Sequence, residues 1–272
     1  MTPLFCDLAL AERIERVEAQ LMVRAGDAAR GRGPSFALPV AGGFATYAGA
    51  DSPFNKVAGL GFDGVPSAEQ LDVIEEAFSV HGAPVQVEIA HLADPAIGQQ
   101  LVDRGYRLEG FENVLGLSLD DAPEPVTPAG IEVRRSDEGW LDVILDGVAA
   151  PDTDGLASHE EFPREVVANA MRDLLEAGVR PYIALLDGEL AGGGGVRLAD
   201  GIAQMGGAAT APAYRRRGIQ TALLAARLAD AAEAGCAVAV VTTQPGSRSH
   251  HNVQRQGFDL LYTRAVYVRP VH

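Results

Sequence analysis

The chain has 272 residues, room for one large domain or two of ordinary size, and its 47% hydrophobic, 6% aromatic composition is that of a globular protein and excludes extended disorder. Its 22 Lys and Arg against 37 Asp and Glu leave a formal charge of -15, a field that repels phosphate backbones and anionic membranes, so neither nucleic acid nor membrane is an expected partner. Two distant cysteines, Cys6 and Cys236, give neither a disulfide framework nor a metal site, and without a basic-then-apolar leader or an apolar run of ~18 residues the chain is expected to be cytoplasmic.

Leu10, Ile14, Val17 and Leu21 recur at helical spacing and predict a helix from about Asp7 to Val23. Strand patterns follow near 44–48 and 56–61. Ser67, with Gln70 three residues on, predicts a capped helix running through Leu71, Ile74 and Phe78 to Gly82. A strand at 85–90, a short helix after Pro95 and a strand at 106–119 complete the first half. The run Asp120, Asp121, Pro123, Glu124, Pro125, Pro128 suits neither helix interior nor central strand and predicts a linker over 121–130 between domains 1–120 and 131–272.

The second half reads as a strand at 131–134, helices at 140–148 and 162–177, and a hairpin of 182–186 with 189–196. Asp187-Gly188 between these strands suits the positive φ angles of a type I′ turn. A strand at 202–210 leads to three consecutive arginines and a helix from Gly218 to Ala234, closed by Gly235. Strand 237–243, helix 247–256 and strand 258–268 end the pattern, which predicts a mixed α/β sheet. A weak repeat links the halves: Arg104-Gly105-Tyr106-Arg107-Leu108 aligns with Gln256-Gly257-Phe258-Asp259-Leu260, and the same 152-residue offset lays Val85–Ile89 on Ala237–Val241. That offset sets Phe62–Pro66 opposite Tyr214–Gly218, so only the second half carries the basic turn.

The turn holds the chemistry. Thr210-Ala211-Pro212-Ala213-Tyr214-Arg215-Arg216-Arg217-Gly218-Ile219-Gln220-Thr221 passes from an apolar strand into a long helix. A helix start leaves backbone N–H groups without intrahelical partners and carries the positive end of the dipole, which favours an anion. Gly218 lets the backbone come close, the arginines add charge, and Thr221 adds a hydroxyl, which together make a cradle for a diphosphate. A P-loop is excluded, since Lys56 is the only lysine, and the glycines 192–195 lie in a strand and open no helix.

These residues resemble the phosphate-binding turn of the GNAT acetyltransferase superfamily, Arg/Gln-x-x-Gly-x-Gly/Ala after a strand ending Val-x-Pro, with Thr210, Pro212, Arg215 and Gly218 at matching places. Ser249–Phe258 resembles the family's second motif, a helix ending in Gly-Phe. The similarity spans about 131–272, and its specific part spans 206–258. It implies two tandem GNAT-like domains with mixed, mostly antiparallel sheets flanked by helices, the first domain degenerate.

It implies also that Ala209, Thr210, Ala211, Arg215, Arg216, Arg217, Gly218, Ile219, Gln220 and Thr221 bind acetyl-CoA. Asn252 and Ser249 would reach it from the adjacent helix and serve catalysis, and the acceptor would be an amine of a small molecule or peptide. Gly206 and Gly207 suit a bulge in the strand that meets the pantetheine arm, or a close-packing site. Two residues depart from the pattern: Gln220 replaces Gly or Ala, and Val253 stands where many members have a tyrosine that protonates the leaving thiolate. The proton then comes from Ser249, Tyr262 or water, and a non-catalytic acetyl-CoA sensor or scaffold is the alternative reading. A general base is sought in the polar loop Asp152, Asp154, His159, Glu160, Glu161.

Overall fold

The computed structural model describes residues 3–120, 128–150 and 162–271. The chain runs α1 (Leu8–Ala29), β1 (Phe36–Val40), β2 (Gly43–Tyr47), β3 (Lys56–Ala58), α2 (Ala68–Ser79), β4 (Val85–Ala90), α3 (Ala96–Asp103) and β5 (Arg107–Ser118). It continues β6 (Ile131–Arg135), α4 (Trp140–Ala149), α5 (Arg164–Glu176), β7 (Arg180–Leu186), β8 (Glu189–Ala199), β9 (Ile202–Thr210), α6 (Ile219–Glu233), β10 (Val238–Thr243), α7 (Arg248–Arg255) and β11 (Asp259–Arg269). The mixed α/β class and the element order are as the sequence predicts, with one strand added. That strand, β1, contains Pro39 and pairs only with β2, an end position where a missing N–H is tolerated.

The compact units do not follow the halves of the chain. One is Phe5–Val114 with Leu261–His272, and the other is Leu115–Leu260 with Met1–Leu4. Strand β11, expected with the second half, therefore belongs from Leu261 onward to the first unit, where Arg264–Arg269 pair antiparallel with Val85–Ala90 of β4. Burial explains the placement. Arg264, 1% exposed, donates through Nε to Glu15 of α1 at 2.7 Å, and Tyr262 donates its hydroxyl to the same carboxylate at 2.6 Å. Of the expected linker 121–130, residues 121–127 lie outside the described residues.

In the first unit, Val85, Val87 and Ile89 of β4 pack with Leu71, Ile74, Phe78, Ile97 and Leu101 of α2 and α3. Strand alternation turns Glu88 to the opposite face. There Lys56 donates to its Oε1 at 2.6 Å, and Glu112 lies 3.6 Å from Arg264 Nη1, so this layer is held by buried charge as well as apolar packing. The helix α2 starts with a closed capping box. Ser67 Oγ accepts from Gln70 N at 3.2 Å, and Gln70 Oε1 accepts from Ser67 N at 2.9 Å.

In the second unit β6, β7, β8, β9 and β10 follow in sheet order, all antiparallel except the parallel pair β9 and β10. The β7–β8 hairpin turns at Asp187 and Gly188 with φ of 53° and 88°, the type I′ signature expected. The glycine run in β8 lets helices approach both faces. An added Cβ would lie 2.6 Å from Ile219 Cγ2 of α6 at Gly192, 2.9 Å from Val143 Cγ1 of α4 at Gly193, and 2.9 Å from Arg227 Cζ of α6 at Gly194. These approaches put the start of α6 against β8 and β9.

Candidate functional site

Pro212–Tyr214 form one 3-10 turn, Arg215 is extended, and Arg216 and Gly218 have φ of 64° and 85°. Left-handed residues on either side of Arg217 give the alternation of hand from which anion-binding turns are built. The helix α6 then begins on Gly218 with no side-chain cap, and its first bond runs from Ala222 N to Gly218 O at 3.0 Å. The amides of Ile219, Gln220 and Thr221 precede that bond. Under the 152-residue offset this start corresponds to that of α2, which Ser67 and Gln70 close. The two corresponding helix starts thus differ: a capping box of Ser67 and Gln70 closes the first, and the left-handed Gly218 gives the second no side-chain cap.

The three arginines diverge. Arg215 turns its guanidinium to the last carbonyls of α4, donating to Ala150 O and to Gly147 O, where a cation meets the negative end of a helix dipole. Arg217 places Cζ 6.0 Å from the Tyr214 ring centroid, and both Arg216 and Arg217 are exposed. Gln220 folds back, its Nε2 donating to Thr210 Oγ1 at 2.8 Å. Pro128 packs on Gly218, where a Cβ would lie 2.9 Å from its Cγ.

Beside the turn the sheet opens. Strands β9 and β10 pair only over Ile202–Gln204 and Val238–Val240, although β9 runs on to Thr210 and β10 to Thr243. From Met205 onward β9 keeps its partner β8 and presents its other edge to the gap. The register with β8 shifts between Gly193 and Gly195, and Gly207 has φ of 54°, so the expected bulge at Gly206 and Gly207 is present. A Cβ at Gly206 would meet nothing within 4 Å, whereas one at Gly207 would lie 3.6 Å from Trp140 Cζ2 and 3.7 Å from Met171 Sδ. Both contacts are ordinary van der Waals distances, so the left-handed φ rather than packing accounts for Gly207, and the space beside Gly206 is open. The gap brings Ala209, Thr210 and Ala211 to the same end of the sheet as Gly218–Thr221.

On α7, Ser249 and Asn252 are exposed, while Val253 packs into the core with Phe258. The offset equates Ser249 with Ile97, which is fully buried and would touch a Cβ on Gly61 at 2.6 Å. So the helix face that closes on protein in the first unit stays open in the second. Tyr262 does not serve this site: it belongs to the first unit, and burial followed by the charge of Glu15, its acceptor, raises its pKa. The sequence does not point to Thr243, at the end of β10; it is 5% exposed and its hydroxyl has no hydrogen-bond partner among the described residues. Nothing in the sequence marks it apart from its place at a strand end. The loop Asp152, Asp154, His159, Glu160, Glu161 lies outside the described residues. His81 stacks on Tyr47 at 4.4 Å, and His91 is exposed beside Thr263.

Residues 149–258 match the family model described as "Acetyltransferase (GNAT) family". Among solved structures, the chain is similar to a GCN5-related N-acetyltransferase from Kribbella flavida, with 18% identity, 98% of each chain covered and a TM-score of 0.71. It is also similar to a tandem GNAT protein from the clavulanic acid biosynthesis pathway, with 16% identity, 74% of this chain and 68% of that one covered and a TM-score of 0.56. A GCN5-related N-acetyltransferase from Sphaerobacter thermophilus gives 17% identity, 74% and 65% coverage and a TM-score of 0.54. No curated protein matches the chain.

Proposed function

We propose, from the match of residues 149–258 to the GNAT acetyltransferase family model and the likeness of the fold to a tandem GNAT protein, that this chain transfers an acetyl group from acetyl-CoA to an amine acceptor. The observation that carries this reading is the helix start at Gly218, left without a side-chain cap next to a sheet that parts after Gln204. Acetyl-CoA, when bound, supplies the acetyl group already activated as a thioester. The amides of Ile219, Gln220 and Thr221 hold its diphosphate, with Arg216 and Arg217 adding positive charge in an otherwise acidic chain. The free edge of β9 at Ala209, Thr210 and Ala211 binds the pantetheine arm by strand-like pairing. Backbone donors of the same edge stabilise negative charge on the carbonyl oxygen as a neutral amine attacks.

Ser249, on the open face of α7, would give a proton to the departing sulfur and take back, through water, the proton that the attacking nitrogen loses, and Asn252 would orient the arm from the same face. Arg215 contributes differently: its guanidinium ties the turn to α4. In the first unit the capped start of α2 and the buried Ile97 close the corresponding positions among the described residues, which favours the second unit as the coenzyme site.

The direct variant Gly218→Asp would press Cβ on Pro128 and lose the left-handed φ, so it tests folding together with binding. Arg216→Glu and Arg217→Glu avoid this, both being exposed. Each is expected to weaken CoA binding by roughly tenfold or more in calorimetry, since a charge-assisted contact becomes a repulsive one. Unchanged affinity in both would reject the site. Thiol release from acetyl-CoA with a panel of amines then separates an enzyme from a non-catalytic sensor, and Ser249→Ala should lower turnover more than affinity.

A further inference from the structure

We infer that Gln220 is a positioning residue for the pantetheine arm, fastening the end of β9 to the start of α6; this rests on the coenzyme A reading above. Gln220 is the second residue of α6 and stands where the family motif has Gly or Ala. A side chain lying across the helix start would crowd a diphosphate. Instead its Nε2 donates to Thr210 Oγ1 at 2.8 Å, and the long side chain is drawn onto the strand.

Thr210 is the last residue of β9. On one side it pairs with Gly192 of β8, and the next residue extends that hold through Ala211 N donating to Ala191 O at 3.0 Å. On the other side β10 has already parted from β9. The Gln220 bond supplies a second fastening there. The helix can come this near because Gly192 has no side chain: a Cβ would lie 2.6 Å from Ile219 Cγ2 and 2.9 Å from the Ala209 carbonyl oxygen. Thr210 accepts from Gln220 and keeps its own hydroxyl proton to donate. The fastened point lies between the amides proposed to hold the diphosphate and the strand edge proposed to receive the arm. Gln220 therefore fixes the path between them without touching the phosphates.

Calorimetry on the full chain tests this with two probes, CoA and 3′-phospho-ADP, which keeps the nucleotide and diphosphate and lacks the arm. Gln220→Ala and Thr210→Val should each weaken CoA binding about five- to tenfold, the effect of one lost hydrogen bond. The double variant should be no weaker than either single one. Affinity for 3′-phospho-ADP should not change, and the melting temperature should fall by no more than about 2–4 °C, the cost of one hydrogen bond. Unchanged or tighter CoA binding by Gln220→Ala would mean that the side chain is neutral or in the way, and would overturn the inference. So would an equal loss for both probes, which would assign Gln220 to the phosphates or to folding. A wild-type chain that binds neither probe would instead overturn the coenzyme reading itself, and this inference with it.

Discussion

Glu112 shows how far single residues in the first unit depend on their surroundings. Burial first, then the charge of Glu88, pushes its carboxyl from the ordinary 4.5 up to about 7, against the pull of Lys56 and Arg264. Between those pH values the folded protein keeps a proton that the unfolded chain has released. Glu112 therefore contributes stability that is complete below pH 4.5 and is lost as pH rises through about 7. Glu112→Gln removes this dependence. The stability of the variant relative to wild type, from urea unfolding, should rise across that window and level off above it; a flat difference would place Glu112 in an ordinary solvated setting. None of this was legible in the sequence. Glu15, Glu88, Glu112, Lys56 and Arg264 come from five separate elements, and no local pattern announces that they meet. In the sequence the only lysine of the chain serves to exclude a P-loop, and its ion pair with Glu88 exists only in three dimensions.

Elements were far more legible, because caps, turns and periodicity are local. The Ser67 capping box, the type I′ turn at Asp187-Gly188 and the strand at 202–210 stand where the sequence put them. The 152-residue offset extends to element ends, since α3 and α7 begin and finish at equivalent positions and Gly105 and Gly257 share a φ of 90°. The glycine run of β8 was read correctly as strand, but its reason lay in partners distant along the chain. Gly192→Ala should destabilise the protein by about 1–3 kcal/mol, the range for overpacking, because the new methyl group meets the Ala209 backbone as well as Ile219. A lowered urea midpoint with unchanged slope would show it. At the site, residue type points to the helix start at Gly218, and it leaves Gly206 and Gly207 open between a bulge and close packing until the register with β8 is seen. It does not point to the engagement of Arg215 with α4 or of Gln220 with Thr210, since side-chain direction at a turn depends on what packs around it.

At the level of the molecule, the compact units cut across the order of the chain. A fragment of residues 1–120 contains β4 but not the strand that pairs along Val85–Ala90, and it leaves Glu15 buried without Arg264 and Tyr262. A buried charge stripped of its partner is costly, on the order of 3–5 kcal/mol. That fragment is expected to show poor amide dispersion by NMR and to gain native dispersion when co-expressed with residues 121–272; a well-dispersed spectrum for the fragment alone would contradict the assignment of β11. The same crossing sets a timetable for the chain as it leaves the ribosome. Domains commonly mature in the order in which they are made, yet here the earliest-made sheet must wait, one edge bare, until Arg264–Arg269 emerge after the whole arginine turn. The unit that holds the earlier-made strands is thus finished last, which makes its completion a check that the other unit has been fully translated.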